Sequence, residues 1–150
     1  MDSIIKFSKK PIPLPAEYRP MYQISILALV LKYCCRANTS SLHKLHLFSW
    51  SLYSETNKIE LKTLIKNNYR AHIPHWTVDP AVNRALSLAI ADGICELTKN
   101  KKYKLTSIGM ELVNKVDKDH DLFCDEKIFL NFIGKQLTDE IVDKLMTKRI

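Results

Sequence analysis

The chain has 150 residues, 46% of them apolar, with three glycines and a formal charge of +7. That is enough apolar material for one compact, mostly helical domain, and too little glycine for a loop-rich or fibrous protein. The positive charge points to an anionic neighbour such as nucleic acid or an acidic protein face, although charge alone does not choose between them.

Residues 1–19 read as an extended arm, because Pro11, Pro13 and Pro15 alternate and forbid a helix. Ile4 and Phe7 give this arm apolar anchors for its own domain or for a partner. The start carries no secretory pattern and the four cysteines form no paired motif, so reduced thiols and a cytoplasmic location are expected.

Pro20 opens a helix expected to run to about Ala37. Its apolar residues, among them Ile24, Ile26, Leu27, Leu29, Val30 and Leu31, surround it. Such a helix is either the centre of the domain or is covered by another chain. The run is too short to span a bilayer. Asn38-Thr39-Ser40 breaks the pattern and caps a second helix, Ser41 to about Ser54. A third helix is expected from Ile59 to about Tyr69, with Leu61, Leu64 and Ile65 facing inward and Lys58, Lys62 and Lys66 along one side.

The next segment is the most informative. Asp79 caps and Pro80 starts a helix that Gly93 ends. Ile94 to Leu97 has a two-residue period, a lysine-rich turn follows, and Tyr103-Lys104-Leu105 returns to a helix capped by Thr106 or Ser107. A helix feeding a β-hairpin is the layout of a winged helix-turn-helix. Helices are then expected from Ser107 to about Val116, Leu122 to Ile133, and Thr138 to about Lys148. The charged stretch 117–121 reads as a solvated link. The expected organisation is an arm over 1–19, a winged-helix domain over 20–118 and a helical extension over 119–150, mostly α with a small β-hairpin.

No catalytic or metal motif stands out. His43 and His46, and His72 and His75, are three apart, but no CxxC pair or HExxH accompanies them. Glycine-flanked serine, phosphate-binding and dinucleotide motifs are absent from the sequence. We therefore expect no enzyme activity, no metal and no cofactor. Arg84, Lys99, Lys101, Lys102 and Lys104 are candidate DNA contacts, reaching phosphates without sequence preference, because Asn83 to Ala89 offers few base-reading side chains. The dull alternative is that hairpin lysines merely protect strand edges. Candidate partner contacts are Ile4, Phe7, Tyr22, Trp50, Tyr53, Trp76, Phe129 and Phe132.

Several of these segments together resemble a family. Tyr18-Arg19-Pro20-Met21-Tyr22-Gln23-Ile24, the stretch from Ser40 to Leu52, Asp79 to Ala85, Ala89 to Gly93, and Leu105-Thr106-Ser107-Ile108-Gly109 look like the middle component of bacterial ABC three-component systems, including Lamassu-type anti-phage and anti-plasmid complexes. The resemblance implies a non-catalytic, kleisin-like accessory subunit. Its partners would be an SMC-like ATPase, an effector that is often a nuclease, and double-stranded DNA bound without sequence preference. The alternative is a free winged-helix transcriptional regulator. A small hydrolase or nuclease fits the residues poorly.

Overall fold

The computed structural model describes residues 20–70, 76 and 78–149. The 1–19 arm, with Ile4 and Phe7, and the loop carrying His72 and His75 lie outside the described residues. The architecture is mostly helical with one small antiparallel sheet. Helix α1 is Pro20–Cys34, followed by strand β1 (Thr39–Ser40), α2 (Leu42–Leu52), α3 (Glu55–Lys66) and α4 (Pro80–Ala91). Strands β2 (Cys95–Leu97) and β3 (Tyr103–Leu105) precede α5 (Ser107–Lys118), α6 (Cys124–Ile133) and α7 (Asp139–Arg149).

Helix α1 is the centre of the molecule. Every side chain from Ile24 to Leu31 is at most 2% exposed, and the helix packs against α2, α4, α5, α6 and β3. Its all-round apolar surface is thus satisfied within the chain, which settles the choice left open by the sequence. Each fully buried Leu or Ile contributes about 1.5–3 kcal/mol of transfer free energy. The same core takes in Phe129, Leu130 and Ile133 of α6, Leu137, and Val142 and Leu145 of α7. Residues after 119 therefore share the core of the residues before it.

Local chemistry sets the helix ends. Ser41, Ser54 and Thr106 each accept a hydrogen bond from the backbone N–H three residues on, and Asp79 accepts from Ala81. The Ser54 cap starts α3 four residues before the expected Ile59. Helix α1 stops at Cys34 rather than Ala37, because Cys35 is extended (φ −128°, ψ 135°), and the chain then turns through positive φ at Ala37 (52°) and Asn38 (54°). That turn sends Thr39 and Ser40 into β1, which pairs with β3 in the register Thr39 to Lys104 and Ser40 to Tyr103. The expected two-stranded hairpin is therefore a three-stranded sheet of order β1-β3-β2. At Gly93, φ is +76°, as a helix-ending glycine requires.

The charged stretch 117–121 is not all a link: Asp117 and Lys118 end α5, and the chain is held at two points. The Lys127 ammonium donates to the carbonyls of Val116 (2.6 Å) and Asp119 (2.8 Å), capping the negative end of α5. The Tyr33 hydroxyl donates to Asp117. Among the described residues, no helix is long and apolar enough to cross a membrane.

Candidate functional site

The β2–β3 turn is built by Thr98. Its amide donates to the Lys102 carbonyl (2.7 Å), its carbonyl accepts from Lys101 (3.0 Å), and its hydroxyl accepts from the Lys102 amide (3.1 Å). Lys101 takes φ 61° to close the turn. Lys99, Lys101 and Lys104 are exposed, as is Arg84 on α4. Lys102 differs from these four. Its ammonium lies 2.6 Å from Asp139 on α7, so it holds the hairpin to the fold. The Asp139 carboxylate also accepts from the Ser41 amide at 3.1 Å.

The outward face of α4 is poor in groups that read bases. Asn83 accepts a hydrogen bond from the His46 ring at 3.0 Å, and Ser87 donates to the Asn83 carbonyl. Leu88 and Ile90 are exposed on the same helix, and Leu97 and Ile108 are exposed beside its C-terminal end. Arg84 alone among these offers a bidentate donor.

His46 is neither a surface residue nor paired with His43. It is 1% exposed, whereas His43 points to solvent. Its Nδ1 accepts from the Asp79 amide at 3.2 Å, leaving Nε2 to donate to Asn83. Burial lowers its pKa, against the raising influence of Asn83 and Asp79. His46 thus acts as a neutral clamp between α2 and the start of α4. It forms one wall of a cavity of about 440 Å³ whose other walls include Tyr22, Trp50 and Tyr53. Both ring nitrogens are engaged, and the Asp79 carboxylate accepts from the Ala81 amide at 2.9 Å to cap α4.

The aromatic partner candidates divide. Trp76 (3% exposed) and Phe129 (2%) are core residues and present no surface to a partner, which corrects the expectation for both. Their apolar character could not separate core from interface. Tyr22 is half-buried, donating to Glu126 at 2.8 Å and meeting the Phe123 ring edge-on at 5.5 Å. Trp50 is half-buried against the His46 cavity. Tyr53 (62%) and Phe132 (63%) are exposed.

Exposed apolar residues outside the candidate contacts include Ile59 (60%) on α3 and Ile128 (69%) on α6, the most exposed of them. Ile128 and Phe132 form one i, i+4 stripe, while the neighbouring stripe of Phe129 and Ile133 enters the core. Both stripes are equally apolar in sequence, so only packing tells them apart. Lys62 spans the helices, its ammonium 5.6 Å from the Phe129 ring centre and 4.7 Å from that of Phe132.

Burial keeps the Cys34, Cys35 and Cys95 thiols protonated: it raises those of Cys34 and Cys35 and pushes Cys95 up to about 11. Compared with known proteins, the chain matches no family model, no curated protein and no solved structure.

Proposed function

We propose that this chain is a winged-helix, kleisin-like accessory subunit of an SMC-like defence ATPase complex, acting in the cytoplasm without catalysis of its own. It links the ATPase, an effector nuclease and DNA. The winged-helix reading is supported by topology: β1 precedes α2, α4 feeds the β2–β3 hairpin, and β1 pairs with the outer edge of β3.

The observation that carries the accessory role is the set of large apolar side chains left outside the core among the described residues. Ile59, Ile128 and Phe132 are each at least 60% exposed, on two adjacent helices of a strongly basic chain. Clustered apolar surface of this kind favours a partner over solvent. The face of α4 adds support, since Leu88 and Ile90 occupy positions where a sequence reader needs polar groups.

The second reading is a free winged-helix regulator, favoured by the exposure of Arg84, Lys99, Lys101 and Lys104. Tagged purification from the native operon, with identification of what co-elutes, tests the proposal. A regulator instead forms a dimer that binds one DNA sequence far more tightly than bulk DNA.

A further inference from the structure

We infer that the groove between α3 and α6 is a docking site for an acidic amphipathic helix of a partner protein. The groove has a volume of about 310 Å³ and is lined by Ile59, Lys62, Thr63, Lys66, Phe132 and Gln136, among others. Its floor is apolar and its rim carries two lysines, with no carboxylate among the described residues that line it.

Charge selects the occupant. Lys58 on the same helix is already paired with Glu55 at 3.1 Å, whereas the Lys62 ammonium is held over aromatic rings and Lys66 has no anionic partner among the described residues. An incoming helix with carboxylates beside its apolar stripe places Leu or Ile side chains against Phe132 and Ile59 and anions against Lys62 and Lys66. The Phe132 ring is already oriented by Lys62, which lowers the ordering cost of binding.

Charge also disfavours two other occupants. The 1–19 segment carries Lys6, Lys9, Lys10 and Arg19 against Asp2 and Glu17, so it brings net positive charge to a positive rim. A second copy brings a formal +7 to a chain of +7. The identity of the partner as a subunit of the ATPase complex rests on the proposed function, whereas the chemistry of the groove does not.

The test uses the full-length protein, isotope-labelled for amide NMR, and two synthetic amphipathic helices. One is built of leucine and glutamate; the other has lysine in place of each glutamate. The acidic peptide is expected to shift α3 and α6 amides saturably, and the basic peptide to leave them unmoved. Phe132→Ser, and separately Lys62→Glu with Lys66→Glu, are each expected to weaken the acidic peptide by about tenfold or more. Equal binding of both peptides, shifts confined to other elements, or unchanged affinity in both variants would overturn the inference. So would a concentration-dependent dimer that Phe132→Ser dissolves, which would assign the groove to a second copy. Peptide binding here without ATPase co-purification leaves the groove standing and removes the accessory role; the reverse result removes the groove alone.

Discussion

The Lys102 ammonium and the Asp139 carboxylate meet at 2.6 Å, joining the β2–β3 turn to the first turn of α7. The Asp139 side chain is only 19% exposed and accepts the Ser41 amide as well, so one carboxylate secures the hairpin, the start of α2 and the start of α7.

Removing that carboxylate should be costly. Burial opposes its ionisation, but the Lys102 hydrogen bond, the Ser41 amide and the charges of Lys102 and Lys44 outweigh it and hold the carboxyl below its ordinary 3.8. The stabilisation is fully present above about pH 4 and is lost as pH falls through the depressed value. Asp139→Ala should cost about 1–3 kcal/mol in urea unfolding at neutral pH, and Asp139→Asn less, because an amide oxygen still accepts from Ser41.

The buried His46 gives a second pH dependence, at milder acidity. Its folded pKa lies below the ordinary 6.5, because burial disfavours the imidazolium. Below pH 6.5 the unfolded chain takes up a proton that the folded chain refuses. Stability is therefore intact above pH 6.5 and falls below it, by up to about 1.4 kcal/mol per pH unit, until the folded ring also protonates. Urea midpoints at pH 7.5 and 5.5 should separate in the native chain, and the separation should shrink in His46→Gln.

Gly109 is required by a close approach. A Cβ there would overlap the Ile94 carbonyl oxygen and the Leu105 Cδ1, while its own N–H donates to the Thr106 cap at 3.1 Å. Gly109→Ala should destabilise by about 3 kcal/mol, since backbone cannot give way as a side chain does. A urea midpoint equal to that of the native chain would contradict this packing.

Much of the fold was legible in the sequence because its caps are chemically explicit. Asp79, Pro80, Gly93 and Thr106 all do what their residue types suggest, and α4, the hairpin and α5 lie where expected. Strand β1 was not legible, because two residues carry no period and their pairing with β3 is a long-range contact. The site was read less well. Lys102 and Lys104 look alike in sequence, yet the first meets Asp139 from a distant helix and the second meets solvent. Phe129 and Phe132 are likewise separated only by which stripe of α6 meets α1.

That difference between the lysines is itself testable. On the proposed function, reversing Lys99, Lys101 and Lys104 to Glu should lower the DNA affinity of the assembled complex and reduce the salt slope by about 0.9 for each phosphate no longer neutralised. Reversing Lys99 and Lys101 should leave the fold unaffected, since both are exposed turn residues. Lys104 lies opposite Glu96 in the β2–β3 pair, so its reversal also sets like charges face to face, and Lys104→Gln is the control that keeps the fold constant. Lys102→Glu should instead destabilise the chain by opposing like charge to Asp139. An unchanged slope in the triple variant would show that the hairpin does not bind phosphate.

The most direct measurement is purification of the tagged protein from its native operon at moderate salt, with mass spectrometry and sizing of the eluate. A large SMC-like ATPase in stable ratio with this chain is the expected result. Elution of the chain alone as a soluble dimer would contradict the accessory role and favour the free DNA-binding regulator.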